Sequence, residues 1–348
     1  MFNLKRAAIF SGLAMIASLS LAACGAMVTS VPVTQQAAQA TLSEQQAATL
    51  SSLEKVDDFP LYTMHYYGWS ELGSSYSDDR QLADAKLSPA WGCSLFAAMG
   101  GADKFYGRNF DWEMSPALLL FNHPTDGYAS VSMVDMAYLG IDGDVNKLTE
   151  LSLDQRKALL EAPFLPFDGM NERGLAVGMA AVTLGDMKPD PNKETIDSLM
   201  VIRKMLDQAA NVDEAVVILQ SYNIDWGSGP PLHYLIADRS GRAVLAEFYE
   251  GKLQLLPNDK PWHLATNFLI SAVNGSAVGQ CARYDKLEGQ LSTTDRGLDV
   301  GDAMSLLQDV SQANTQWSVV YGFSTGDVTV TMGRQYDRVH TFHIDLME

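Results

Sequence analysis

WGCSLFAAMGGADKFYGRNFDW, residues 91–112, holds two β-prone runs, 94–99 and 104–109, joined by Gly100-Gly101. Two such runs around a Gly-Gly pair form a hairpin. A hairpin brings its open ends together. Cys93, at the start of the first strand and behind Gly92, therefore lies beside Arg108 and Asp111 at the end of the second. A thiol flanked by a cation and a carboxylate is a candidate nucleophile. On its own, a single cysteine is more often a small packing residue. Arg108 and Asp111 alone are equally well explained as an ion pair in a turn. The rest of the chain has to decide.

The 348 residues are 47% hydrophobic and 19% charged, a globular balance that fits one large domain or two small ones. The net charge of -18 is spread along the chain. A phosphate backbone needs a basic face, so nucleic acid is excluded as a partner. Three cysteines, Cys24, Cys93 and Cys281, are too few for a disulfide scaffold, and their spacing fits no zinc site. The six histidines show no metal-ligand spacing, so neither a metal nor a cofactor is expected.

At the N-terminus, Lys5 and Arg6 precede an apolar run over residues 7–23 that ends Leu21-Ala22-Ala23-Cys24-Gly25. A charged start and a short apolar stretch make a secretory signal. The ending resembles a bacterial lipoprotein signal, which implies lipid on Cys24; the alternative is a plain signal peptide with Cys24 coincidental. Residues 1–23 are thus expected to be removed, leaving an exported protein on the cell envelope held by a lipid and not by a span. Residues 26–53, rich in Ala, Gln, Ser and Thr, read as a tether with helical tendency at 45–53. Residues 59–67 are aromatic and β-prone, with Pro60 at a strand start or edge. Residues 74–86 read as a loop. Hence 24–92 is expected to be an anchored tether and pro-segment, and 93–348 the main domain.

Beyond the hairpin, a strand is expected near 128–133 and a helix over 151–161 with Ser152 as its cap. Residues 167–174 make a tight turn into a strand at 175–182. Helices follow at 195–210 and 212–219, then strands at 233–237, 243–249, 252–256 and 262–268, a helix at 302–308, and strands at 317–323, 328–332 and 338–344. Blocks of strands alternating with blocks of helices read as layered α+β with antiparallel sheets, not as βαβ units.

Several stretches, taken in order, resemble the choloylglycine hydrolase/penicillin V acylase family of N-terminal-nucleophile (Ntn) hydrolases, with acid ceramidase-type amidases as wider relatives. They are Cys93-Ser94-Leu95-Phe96, Gly107-Arg108-Asn109-Phe110-Asp111, Asp168-Gly169-Met170-Asn171-Glu172-Arg173-Gly174-Leu175, Leu232-His233-Tyr234, Ala265-Thr266-Asn267-Phe268, Ala282-Arg283-Tyr284 and Thr315-Gln316-Trp317-Ser318. The resemblance runs through nearly the whole chain after residue 93. It implies a four-layer αββα sandwich, two antiparallel sheets between helical layers, and hydrolysis of a linear amide C-N bond of a small molecule. It also implies Cys93 as nucleophile, Asp111 orienting the α-amine, Arg108 favouring the thiolate, Asn267 donating to the oxyanion and Arg283 supporting the site electrostatically. Asn171 is expected to hold its turn, since Asn tolerates the left-handed region, and Cys281 to be a free packing thiol.

The chemistry also stands without the family. A thiol at neutral pH is mostly protonated and needs a base. An N-terminal cysteine supplies one, because an α-amine titrates at roughly 7.7–8.0. That amine exists here only if the Gly92–Cys93 bond is cut. Glycine at 92 leaves the carbonyl before the thiol unobstructed, so self-cleavage is expected, with segment 24–92 retained as a non-covalent subunit. Two departures from the family limit the reading: Ala181 stands where bile-salt hydrolases carry a second Asn, and acyl specificity is left to loops at 118–125 and 184–192. Candidate substrates are penicillin V-like amides, acyl-homoserine lactones, N-acyl amino acids and bile conjugates. Two other readings stay open: a cysteine peptidase using a histidine, and a non-catalytic binding lipoprotein on the same fold. Self-association is left open.

Overall fold

The structure is a computed structural model that describes residues 41–69, 92–141, 144–293 and 297–347. Residues 42 onward form one compact unit. Cys24, the signal at 1–23 and the expected loop at 74–86 lie outside the described residues.

Two large sheets make up the protein. The larger runs, in spatial order, β1 (Glu54–Asp57), β2 (Leu61–Trp69), β5 (Ala117–Pro124), β6 (Ser130–Asp135), β7 (Asp168–Asn171), β8 (Leu175–Ala181), β11 (Leu232–Asp238), β12 (Ala243–Tyr249) and β13 (Lys252–Pro257). All its neighbours are antiparallel except β2 and β5. The smaller sheet runs β14 (Trp262–Ala265), β3 (Gly92–Ala98), β4 (Phe105–Asp111), β15 (Thr315–Gly322), β16 (Asp327–Met332) and β17 (His340–His343), antiparallel throughout. A short parallel pair, β9 (Thr195–Asp197) with β10 (Asn223–Asp225), stands apart.

The sheets face each other, and strand alternation decides what lies between them. Successive side chains point to opposite faces. Cys93, Leu95 and Ala97 of β3 join Tyr106 and Phe110 of β4 and Trp317, Val319 and Tyr321 of β15 in the core between the sheets. Phe96, Ala98, Phe105 and Val320 point the other way, into a second core against helices α4 (Ala282–Leu291) and α5 (Val300–Asp309). Helices α2 (Met200–Gln208) and α3 (Val212–Ser221) cover the larger sheet near β7, β8 and β11. The order of layers is therefore αββα, as expected. The sheets approach closely at Gly178, where a Cβ would sit 2.8 Å from the Tyr106 hydroxyl, which itself donates to Leu235 O across the interface at 2.9 Å.

The segment ahead of Cys93 belongs to this core. Helix α1 (Glu44–Ser51) starts in a Ser43 capping box with Gln46 and packs on β2. Leu50, Leu61, Tyr62 and Met64 are fully buried. Pro60 stands just before β2, where its missing N–H breaks no ladder.

Several local expectations need correcting. Residues 118–125 are not a loop. Leu118-Leu119-Leu120 is wholly buried inside the larger sheet as part of β5. The helix expected at 151–161 is absent; a 3-10 helix spans Lys157–Phe164 instead, with Pro163 inside it, and a proline removes the N–H that an α-helix needs. The helix at 195–210 is shorter, because Ile196 enters β9 and the Asp197 carboxylate then accepts Leu199 N–H at 2.7 Å to start α2. Residues 168–171 are strand, and the turn that follows uses Gly174, not Asn171, at positive φ. Helix α4 was not foreseen.

Candidate active site

The site forms where β3 begins. Register places Gly92 opposite Asp111, Cys93 opposite Phe110 and Leu95 opposite Arg108. Cys93 and Arg108 therefore sit diagonally on the same face of the hairpin, within reach of a long side chain. The thiol is 3% exposed and its Sγ lies 3.7 Å from Nη2 of Arg108. That guanidinium is fully buried and donates through Nη1 to the equally buried Asp168 carboxylate on β7. Asp168 also accepts from Tyr321 Oη at 2.5 Å and from Trp317 Nε1 at 3.3 Å. Burial works against the Arg108 charge, but the Asp168 carboxylate together with Cys93 and Tyr106 outweighs it and holds the guanidinium's pKa above its ordinary value. Burial pushes the Cys93 thiol up, with Arg108 pulling against it, so in the unbroken chain the sulfur rests as a thiol.

The backbone of Cys93 is held from the other side. β14 pairs Ala265 with Leu95 and ends there, which sets Asn267 beside residue 93. Cys93 N–H donates to Asn267 Oδ1 at 2.7 Å, and Asn267 Nδ2 donates to Ala181 O at 2.8 Å. Arg283, in the first turn of α4, donates to Asn267 Oδ1 at 2.8 Å, to Ser94 Oγ at 2.9 Å and to the Cys93 carbonyl. Its guanidinium also comes within 3.8 Å of Asp111. Two donors converging on Oδ1 fix which end of the Asn267 amide is oxygen.

Asp111 is buried, with one oxygen accepting from Thr315 Oγ1 and the other from Gln312 Nε2, both at 2.6 Å. The structure thus gathers Gly92, Cys93, Arg108, Asp111, Asn267 and Arg283 at one strand end. Cys281 is a free, half-buried thiol just before α4. Asn171 holds its turn by accepting from Arg173 N–H and Leu175 N–H on Oδ1, both at 3.1 Å, and its Nδ2 donates to Leu206 O and Ala209 O at the end of α2. The six histidines make polar contacts away from the thiol, with one another, with Glu247, Asp57 and Asp327, and with the Leu256 carbonyl.

Sequence reasoning missed three partners. Asp168 stands in one of the quoted stretches with no role of its own, because its pairing with Arg108 depends on how β7 faces the hairpin across the two sheets. Gln312 carries no signal, and Thr315 stands in a quoted stretch with no role of its own, since the place of both depends on how α5 leads into β15. A cleft opens on the thiol, with Gly92, Cys93 and Ala181 in its wall. The rest of the wall is largely apolar and aromatic: Phe110, Trp112, Tyr138, Phe167 and Trp226. The arrangement can seat an apolar acyl group against the sulfur and place several N–H donors around the adjoining carbonyl.

A family-wide sequence model of linear amide C-N hydrolases, choloylglycine hydrolase family, matches residues 93–267. Among solved structures, the chain is similar to a mutant of conjugated bile acid hydrolase from Clostridium perfringens, with 15% identity and a TM-score of 0.52 over 73% of this chain and 92% of that one. It is also similar to penicillin V acylase from Agrobacterium tumefaciens, with 15% identity and a TM-score of 0.51 over 72% of this chain and 86% of that one.

Proposed function

The chain belongs to the choloylglycine hydrolase family of linear amide C-N hydrolases, and from that membership we propose that it hydrolyses small N-acyl amides with Cys93 as an N-terminal nucleophile released by its own cleavage after Gly92. The observation that carries this reading is the Cys93 thiol beside a buried guanidinium, at the wall of an aromatic cleft, in a residue whose amide nitrogen is held by Asn267.

In the maturation step, the Cys93 thiol adds to the Gly92 carbonyl carbon. The C–S bond forms as the C–N bond breaks, and the thiol proton passes to the nitrogen, which leaves as the Cys93 α-amine. Water then cleaves the thioester, giving the Gly92 carboxylate and a free thiol. In the amidase step, the α-amine takes the thiol proton as sulfur adds to the substrate carbonyl carbon and hands it to the nitrogen that leaves as the C–N bond breaks; water then cleaves the thioester, giving the free acid and the thiol. Arg108 favours the thiolate as it forms, and Asp111 orients the ammonium. The amide nitrogen of Asn267 carries two hydrogens; one is committed to Ala181 and the second serves the oxyanion. Ala181 brings no side-chain amide, so a backbone N–H has to supply any second donor.

The aromatic cleft suits an uncharged acyl group, as in penicillin V-like amides, acyl-homoserine lactones or N-acyl amino acids. Segment 24–92 stays on the enzyme as a subunit through α1, β1 and β2. Lipid on Cys24 then anchors the active protein at the cell envelope. Intact mass and denaturing gels of the purified mature protein, with a screen of chromogenic N-acyl amides, test this. Two fragments meeting at Gly92 and Cys93, and hydrolysis lost in Cys93→Ala, are expected. Full activity from a single uncut chain would overturn the maturation step.

A further inference from the structure

Gln312 lies in the turn between α5 and β15, and the mechanism above does not use it. Its N–H donates to Thr315 Oγ1 at 2.8 Å, and Thr315 N–H returns to Gln312 O at 3.0 Å. This closed turn presents Gln312 Nε2 and Thr315 Oγ1 to the two oxygens of Asp111. The same Nε2 occupies the space over Gly92: a Cβ at residue 92 would stand 2.1 Å from it and 3.1 Å from Asp111 Oδ2. No backbone atom is that close, so a side chain at 92 meets the movable tip of a glutamine and not a wall. Moving the tip aside disturbs its 2.6 Å hydrogen bond to Asp111.

We infer that Gln312 is a positioning residue that couples the identity of residue 92 to the setting of Asp111, so that glycine at the cleavage site is required to keep Gln312 on the carboxylate. The inference rests on the proposed self-cleavage after Gly92. It differs from a simple need for room, because the steric demand of residue 92 is transmitted to a charged group on the neighbouring strand. A hydrogen bond to a carboxylate is among the stronger ones in a protein. Once the bond is cut, Gln312 still shares Asp111 with the new α-amine. Removing it leaves the carboxylate charge less neutralised, which favours the ammonium form.

The test is a double-mutant cycle on the full-length precursor. Processing is followed by intact mass for the wild type, Gly92→Ala, Gln312→Ala and the double variant. Each single change should slow processing roughly tenfold to hundredfold, the loss expected for one such bond. The double variant should process far less slowly than the product of the two single effects, since the alanine at 92 then has no Gln312 tip to displace and keeps only its 3.1 Å approach to Asp111 Oδ2. For processed Gln312→Ala, the acid limb of the kcat/KM profile should move to higher pH, a readout that a merely structural role does not move. A double variant slowed by the product of the two single effects, or an unmoved acid limb, overturns the coupling while leaving self-cleavage intact. A wild-type precursor that stays uncut overturns both.

Discussion

Arg108 and Asp168 form a buried charge pair beside the Cys93 thiol. Replacing Asp168 by Asn leaves a buried guanidinium without its counter-charge, which typically costs about 3–5 kcal/mol. A lower denaturant midpoint and weaker amide hydrolysis are expected together, read by urea unfolding and a turnover assay. Asp135 offers a second residue-scale check. Burial lifts its carboxyl to about 6, against the N–H of Ala137 and the hydroxyl of Ser115. A raised folded pKa means that this stability is present at low pH and is lost as pH rises through about 6. Asp135→Asn should therefore raise the melting temperature more at pH 8 than at pH 5. Cys93, Arg108 and Asp111 were legible in the sequence because one hairpin fixes all three. Asn267 and Arg283 were legible only through the ordered set of motifs, since β14 and α4 bring them from far along the chain. Gln312 was not legible at all, because a glutamine in a turn looks the same whether or not a carboxylate lies beneath it.

At the scale of elements, runs with clear boundaries read well. The Gly100-Gly101 hairpin and the strands of the second half fall within a few residues of expectation. The errors share a cause. Residues 118–125 read as a loop although Leu118 to Phe121 is apolar, because a strand covered on both faces lacks the alternation that marks a half-buried one. Residues 151–161 have helical composition, but the proline that follows shifts the segment to 3-10 turns. What joins the two sheets is also an element-scale matter, and Gly178 tests it. In Gly178→Ala the new methyl would meet Tyr106 Oη and Leu95 Cδ2, at 2.8 and 3.1 Å. Overpacking of this kind costs about 1–3 kcal/mol, and the midpoint of denaturant unfolding should fall accordingly, with the fold retained by far-UV circular dichroism.

Across the whole molecule, the piece ahead of Gly92 is tied to both sheets. Asp57, at the end of β1, accepts from Arg338 at 3.1 Å and pairs with His340 at 2.6 Å, the latter on the edge strand of the smaller sheet. Burial tends to raise its pKa, but the Phe59 N–H, His340 and Arg338 outweigh it and leave the carboxyl below its ordinary value. A depressed folded pKa gives stability that is complete above the unfolded value and is lost as pH falls through the folded one. The window is therefore below about pH 4, the ordinary range of an aspartate. If the chain is cut after Gly92 as proposed, size-exclusion chromatography should show the two pieces together at pH 5–8 and separating only on stronger acidification. Asp57→Asn should separate at higher pH than wild type.

The parallel pairing of β2 with β5 carries one more consequence. Parallel neighbours cannot be joined by a tight turn, and here the chain between them first visits the other sheet as β3 and β4. A cut after Gly92 falls inside that excursion. The precursor closes β2 against β5 as one molecule, at a modest loop-closure cost. The severed protein would have to find the same partner by collision. Denatured precursor should then refold at a rate independent of concentration, and denatured mature enzyme only as a second-order process. Maturation would make folding a one-time event, and the working life of each molecule would be set by how long its first assembly lasts.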